Sequence, residues 1–384
     1  MSKRLLVICE PNFDPFSKCT KNLAMNEILY NYQNFFEEVH CVVPGQKTKI
    51  GIEGVNNIIY HTVEGYTGNR VNKFLYQFRN PRLSIKEIVN NYGITHIQLR
   101  VPSTFSLAFY SQIKKINSIV LTTYIAGDVY ENLVLNFNRV PMIKGVARFM
   151  EKRQEVLLCN SLVVTTGDVL KQKYEIRNKN IHAFYSTTHN DVKYGNNSYI
   201  NDKLSLVFVG RIDLAKRLDV IVDVVKILKD KNIFVNVNIV GDGPQLSNIK
   251  NRVESLGITN QFVFYGYVTD RGLIDKVLLK STIFILSSVT EGTAKVLPEA
   301  MSRGVIPIGI KNVGSNNYII DDKVNGFLVS KGNESLEISN IVEKLLLDRS
   351  IIEKMQGRAY EYAQSKTAKI EISRMWEFIF KNSK

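Results

Sequence analysis

Two glutamates, Glu291 and Glu299, stand eight positions apart between the apolar run Ile283–Leu286 and a glycine, Gly304. The pattern predicts a buried strand, a polar loop holding Glu291, and a short helix over residues 294–303 that carries Glu299. Gly304 falls where helices commonly stop. The start of such a helix offers N–H groups without intrahelical partners and the positive end of the helix dipole, a seat for phosphate. A carboxylate on either side of that seat suits a ligand with hydroxyls at both ends and a diphosphate in the middle. A nucleotide-sugar has that form. A second pair of residues fits the same chemistry. Arg211 and Lys216 lie five apart on a loop that follows an apolar run and enters a helical stretch. Two cations there can neutralise charge that grows on a departing diphosphate.

Glu291-Gly292, then Glu299-Ala300-Met301 and Gly304, with seven residues between the two glutamates, resemble the donor-site signature of the retaining glycosyltransferases of family 4. The resemblance implies a GT-B fold: two Rossmann-like, doubly wound α/β domains facing each other across a cleft. It is specific over residues 204–330 and thin over residues 1–190. It assigns the leaving diphosphate to Arg211 and Lys216, the ribose hydroxyls to Glu299, and the donor-sugar hydroxyls and charge near the reacting carbon to Glu291. Backbone N–H groups of Thr293, Ala294, Lys295 and Val296 would face the diphosphate or sugar. The turn Gly241-Asp242-Gly243, with Gly210 on the preceding loop, would shape the nucleotide pocket, and the backbone of Gly266-Tyr267-Val268 would meet the base. In the front half, the segment 123–128 with Glu131 is similar to the one that reaches over the donor sugar. That makes Asp128 a cleft carboxylate, while its position also suits an N-cap.

The chain departs from the family's pattern at four places. Arg217 stands where the family usually has glycine, and it either adds a phosphate contact or faces water. Thr293 replaces a frequent aromatic, and Asn317 replaces a frequent glutamate. The loop 11–18 lacks the glycine pair common in relatives.

Strand-like runs at residues 5–9, 39–43, 58–61, 96–99, 119–124 and 162–165 alternate with helical stretches. That alternation predicts a doubly wound parallel sheet over residues 1–190. Residues 191–202 are polar and turn-rich and read as a linker. The rhythm restarts over 203–367, the expected nucleotide-sugar domain, with runs at 204–209, 235–240, 262–264, Ile283–Leu286 and 305–310. The tail 368–384 carries Ile372, Met375, Trp376 and Ile379 at helical spacing. In GT-B enzymes such a helix crosses back to the front domain; packing on its own domain is the alternative.

The chain has 384 residues, 45% hydrophobic and 22% charged, enough for two packed domains and unlike a disordered chain. Its net charge is +14, with +9 in residues 1–195 and +5 in 196–384. Cys9, Cys19, Cys41 and Cys159 show no paired metal spacing, and Cys9 and Cys41 read as buried thiols of a reducing compartment. The five histidines are scattered, and GT-B chemistry needs no metal. No signal peptide and no spanning segment are evident, so a cytoplasmic protein, or one peripheral to the inner face of the plasma membrane, is expected. Two basic, aromatic-bearing stretches, 70–86 and 142–158, suit either an anionic membrane surface or a solvated face.

These readings converge on transfer of a sugar from a UDP- or GDP-sugar to a glycan or lipid-linked acceptor, in bacterial surface-polysaccharide assembly. No nucleic-acid partner is expected, since no recognised motif is present. The alternatives are a GT-B sugar-nucleotide 2-epimerase, which would need extra acid/base residues, and a non-catalytic basic protein that binds nucleic acid or membrane.

Overall fold

The computed structural model describes residues 2–46, 51–66, 70–79, 81–137, 140–185, 187, 189–192, 204–291 and 293–383. The chain divides into two compact units, Met1–Phe184 with Ala368–Lys384, and Tyr185–Thr367. Of the linker expected at 191–202, only Asp191 and Val192 fall within the described residues.

The first unit runs β1 (Arg4–Ile8), β2 (Phe13–Asp14), β3 (Cys19–Thr20), α1 (Leu23–Tyr32), β4 (Glu38–Pro44), β5 (Ile52–Glu53), β6 (Ile58–Val63), α2 (Arg70–Tyr76), α3 (Ile85–Tyr92), β7 (His96–Val101), α4 (Thr104–Ile113), β8 (Val120–Ile125), α5 (Val129–Asn136), α6 (Ile143–Leu158), β9 (Leu162–Thr166), α7 (Gly167–Tyr174) and β10 (Ile181–Phe184). Its sheet has the order β10-β9-β8-β7-β1-β4-β6-β5, parallel except for the β5–β6 pair. Side chains alternate between its faces, as the two-residue period of a strand requires. Leu6, Ile8, Ile97 and Leu99 pack with Phe105 and Phe109 of α4. Leu5, Val7, Val39 and Cys41 pack on the opposite face with α1.

That second face is closed by the chain's last helix, which belongs to this unit. Fully buried Trp376 meets Tyr32 edge-on at 5.1 Å between ring centres and Phe36 at 4.6 Å. Ile372, Met375 and Ile379 enter the same core. The sulfurs of buried Cys9 and Cys41 lie 3.5 Å apart. The loop expected at 11–18 instead forms part of the antiparallel β2–β3 hairpin, and α1 starts after the Asn22 cap, whose side chain accepts from Met25 N at 3.0 Å.

The second unit runs β11 (Ser205–Val209), α8 (Leu218–Asp230), β12 (Asn236–Val240), α9 (Leu246–Ser255), β13 (Phe262–Gly266), α10 (Arg271–Leu279), β14 (Ile283–Leu286), α11 (Val296–Met301), β15 (Ile306–Ile310), α12 (Asn316–Ile319), β16 (Phe327–Val329), α13 (Glu334–Leu347) and α14 (Ser350–Gln364). The helix of the first unit closed by Trp376 is then α15 (Ala368–Asn382). The second sheet is wholly parallel, in the order β13-β12-β11-β14-β15-β16. Its strands are apolar on both faces because helices cover both. Leu206, Phe208, Ile283 and Ile308 pack against Val220, Ile221, Val224 and Leu228 of α8, and Val207, Phe284 and Leu286 against Leu297 and Met301 of α11. Each such side chain contributes about 1.5–3 kcal/mol on burial, before the entropy cost of ordering it. The strand order reverses between β11 and β14. Loops that leave the carboxyl ends of strands at such a switch point form a crevice.

Candidate functional site

Three loops at the carboxyl edge of the second sheet are tied together by backbone hydrogen bonds. Gly210 N donates to Val240 O (2.9 Å), Gly241 N to Gly266 O (2.8 Å), Ile212 N to Asp242 O (2.9 Å) and Gln245 N to Ile212 O (3.0 Å). Glycine is required for that closeness. A Cβ on Gly241 would stand 1.8 Å from Gly210 O, and one on Gly243 would stand 2.3 Å from Ile212 O. The Gly-x-Gly turn therefore has a specific reason here: main chains approach each other without room for a side chain. These loops, with Tyr267, Val268 and Ile274, enclose a cavity of about 610 Å³ bordered by Gly210, Arg211 and Gly243. Tyr267 is 77% exposed, leaving its ring face open beside the cavity.

The loop after β11 also meets the loop after β14. Val289 N donates to Ala215 O at 2.9 Å, and the hydroxyl of buried Ser287 donates to the carbonyls of Lys216 and Arg217, both at 2.9 Å. That lacing brings Lys216 Nζ against Glu291 Oε1 as an ion pair, with the side chains 25% and 11% exposed. Asp213 shapes the turn from below: its carboxylate accepts from Ala215 N (3.0 Å) and Lys216 N (3.2 Å). Arg211 is 3.6 Å from Asp213 and its side chain is 72% exposed. The structure thus joins Lys216 to Glu291 across 75 positions of sequence, while Arg211 projects at the cavity rim.

Arg217 takes neither role expected of it from sequence. Its backbone is left-handed (φ 47°), a conformation that a glycine would adopt at lower cost. Its guanidinium turns to buried Glu334, 3.0 Å away on α13, and to Asp219 at 3.5 Å. Burial raises the Glu334 carboxyl, but the amides of Glu334 and Gly332 together with Arg217 outweigh it and hold the group below the usual carboxylate range. Nothing local in the sequence pointed to this partner, which lies 117 positions away.

The helix that carries Glu299 is shorter than the sequence suggested, Val296–Met301. Lys295 N already donates to Thr293 O at 2.8 Å, so this amide is committed within the turn. Thr293 Oγ1 is buried with no partner among the described residues. Glu299 Oε1 pairs with Arg271 Nη1 at the start of α10. Sequence reading passed over Arg271. A cation at a helix start opposes the dipole, which is a sign that a nearby acid holds it there. Asn317, standing for the family's glutamate, binds Asn312 twice: its carbonyl accepts from Asn312 N (2.7 Å), and its amide donates to Asn312 Oδ1 (2.9 Å).

In the first unit, Asp128 is the N-cap of α5. Its Oδ1 accepts from Glu131 N at 3.0 Å and its Oδ2 pairs with Lys173 at 2.5 Å. Burial disfavours the Lys173 charge, but the Asp128 and Glu151 carboxylates outweigh it and raise this amine well above the usual lysine range. Both oxygens of Asp128 thus have structural partners. The histidines are not all scattered either. His40 Nδ1 lies 3.0 Å from His61 Nε2 across β4 and β6, with Glu38 3.1 Å from the other nitrogen of His40. Two strands that are distant in sequence bring them together.

Residues 195–366 match the family described as glycosyl transferases group 1. Over 348 residues the chain is 25% identical to N-acetyl-alpha-D-glucosaminyl L-malate synthase of Bacillus anthracis, covering 87% of this chain and 86% of that one. It is 30% identical over 92 residues to the UDP-Gal:alpha-D-GlcNAc-diphosphoundecaprenol alpha-1,3-galactosyltransferase of Escherichia coli, 24% of this chain and 23% of that one. The crystal structure of Anabaena HepE in complex with UDP superposes with a TM-score of 0.68 at 13% identity, covering 99% of both chains. The fold is GT-B, with a Rossmann-like parallel sheet in each unit. With that match over residues 195–366 and these relatives, the chain is a transferase enzyme.

Proposed function

We propose, from the premise that residues 195–366 form a group 1 glycosyltransferase domain, that the protein moves a sugar from a nucleoside-diphosphate sugar to an acceptor hydroxyl with retention at the anomeric carbon. The observation that carries this is the Lys216–Glu291 ion pair, whose lysine shares its loop with Gly210 and Arg211 of the glycine-lined cavity, with Glu299 on the helix that follows Glu291. HepE was solved with UDP and with UDP-glucose, which favours a uridine donor here too. The Escherichia coli relative is named for a diphosphoundecaprenol-linked acceptor, which favours a lipid-linked glycan and bacterial surface-polysaccharide assembly.

In this reading Lys216 and Arg211 face the diphosphate. Lys216 exchanges Glu291 for phosphate oxygen when donor arrives, and this frees Glu291 to accept sugar hydroxyls. Glu299 accepts the ribose diol and releases Arg271. Tyr267 lies beside the base. Backbone N–H groups of Thr293, Ala294 and Val296 turn to the phosphates. The bond from the anomeric carbon to the phosphate oxygen breaks, and the bond to the acceptor oxygen forms on the same face. The acceptor's proton passes to the leaving phosphate oxygen, so no side chain is needed as base. As charge grows on the diphosphate, the less exposed cation, Lys216, lowers the barrier most, with Arg211 at the rim adding to it. Asp128, occupied by its helix cap and Lys173, is kept out of the chemical step.

No helix among the described residues is long and apolar enough to cross a membrane. The first unit does expose Phe78 (52%), Met142 (84%) and Phe149 (43%). Phe78 stacks near Phe149 (6.1 Å), with Arg153 over its ring at 4.8 Å. Both basic stretches meet there, and a peripheral seat on an anionic leaflet is part of the proposal.

The test is mass spectrometry of reactions offered a panel of UDP- and GDP-sugars with prenyl-diphosphate glycan acceptors, followed by NMR of the new linkage. The expected result is one donor consumed and a product with the donor's own anomeric configuration. An inverted product would reject retention. Donor epimerised in the absence of acceptor would favour the epimerase reading. No turnover and no nucleotide binding by calorimetry would reject the site.

A further inference from the structure

A second cavity of the same unit shares no residue with the glycine-lined one. It holds about 870 Å³ and lies between the edge strand β16, the turn before it, α13 and α14. Its apolar lining is Val324, Phe327, Leu328, Ile341, Ile351 and Met355. Five cations also line it: Lys311 after β15, Lys323 in the turn, Lys344 on α13, and Lys354 and Arg358 on α14. Only two carboxylates accompany them, and both are held by the main chain. Asp322 accepts from Leu328 N at 2.8 Å, and Glu337 from Ser330 N at 3.0 Å. Arg358 pairs outward with Glu361 at 2.9 Å. Among the described residues, Lys311, Lys323, Lys344 and Lys354 make no ion pair.

This is an unusual way to distribute charge. Lys354 and Arg358 are like charges one helical turn apart, an arrangement that is unfavourable by itself. Five cations from separate elements converge on one hollow that holds only two carboxylates, each already engaged by a main-chain N–H. An isolated lysine on a surface needs no explanation. Four without ion pairs around a concave, apolar-floored space leave an electrostatic demand that an anion would meet. Phosphate fits it by charge and by its capacity to accept several N–H donors at once. The apolar floor requires more than inorganic phosphate: the ligand must lay hydrocarbon on Phe327, Ile341 and Met355.

We propose that this cavity is a second anion site, separate from the donor seat, and that it takes a phosphate ester bearing an apolar group. Such a group arrives either as a soluble organic phosphate or as a phospholipid headgroup with the glycerol and first methylenes attached. Lys344 and Lys354 grip the phosphate from facing helices, and the floor takes the hydrocarbon. The inference does not depend on the donor reading, because the two linings are disjoint.

The experiment uses the full chain and three proteins: wild type, Lys344→Glu/Lys354→Glu, and Lys250→Glu/Lys280→Glu. The last makes the same change in net charge at two exposed lysines of this unit outside the cavity. Phenyl phosphate is titrated by calorimetry in the presence of UDP, and vesicles of 30:70 phosphatidylglycerol:phosphatidylcholine are used in flotation. Circular dichroism melts check that all three fold, and Lys344→Gln/Lys354→Gln replaces the reversed pair if that variant does not. Phenyl phosphate bound about tenfold more weakly by the cavity variant, with the control variant unchanged, supports the soluble source. Vesicle binding weakened in the cavity variant and not in the control supports the headgroup. If the cavity and control variants behave alike in both assays, the site does not exist.

Discussion

The carboxyl edges of the two parallel sheets are built differently. In the second unit the loops after β11, β12 and β13 are bonded main chain to main chain, through glycines that leave no room for a Cβ. In the first unit the corresponding residues are occupied as caps and interior partners: Asp128 caps α5, Ser103 caps α4, and Tyr66 donates to Glu10 at 2.6 Å. One edge holds charged side chains around a preformed hollow. The other uses its polar side chains to hold its own helices in place. A diphosphate seat must be rigid before charge develops, because reorganising during the reaction would consume the gain. On the proposed function, the backbone lacing of the second unit is what supplies that rigidity, within the segment that the family match covers.

Mutations can break this contrast, and the largest effect is expected at the charged centre. Lys216→Met should lower kcat by about 10²–10³-fold with little change in thermal midpoint, as removal of one charge-stabilising donor does elsewhere. Steady-state kinetics beside a melting curve reads both, and near-wild-type turnover would remove Lys216 from the mechanism. Next is Gly241→Ala. Its methyl would overlap Gly210 O, so it should cost about 2–4 kcal/mol and weaken UDP binding with it. A variant of wild-type stability would show that the lacing is pliable.

Acid should single out the first unit. Burial, helped by the charges of neighbouring His40 and Lys3 respectively, lowers both His61 and His96 to about 4. Their folded values lie below the unfolded value of about 6.5, so the native state favours the neutral rings. The stability they contribute is present above about pH 6.5 and is lost as pH falls towards 4, roughly 1–2 kcal/mol each by pH 5. Hydrogen exchange at pH 7 and pH 5 should therefore show β4, β6 and β7 losing protection before β11 and β14, and His61→Phe should flatten that dependence. The smallest effect is of opposite sign. Gly145, in α6 of the first unit, has open space around its Cβ position, so Gly145→Ala should stabilise by about 0.5–1 kcal/mol in a urea titration.

Some of this molecule is written locally and some is not. Strand–helix alternation, a parallel sheet in each half and the apolar spacing of α15 follow from side-chain periodicity, which neighbours in sequence impose on one another. The paired glutamates and the Arg211-to-Lys216 loop stand out for the same reason: each is a short segment marked by residue types a few positions apart, and their roles belong to the proposed function. What lies between segments was not legible. Arg217 holds Glu334 and Arg271 holds Glu299, and His40 stacks on His61 because parallel strands set them side by side. Asp128 shows the limit from the other side. Its sequence context fitted both a cleft acid and a cap; the cap partner, Glu131 N, is local, but the partner of its other oxygen, Lys173, lies 45 residues on and only the fold supplied it. Periodicity is a property of adjacent residues, so the chain alone determined the sheets. Charge pairing needs through-space neighbours, so only the folded arrangement could assign the ions.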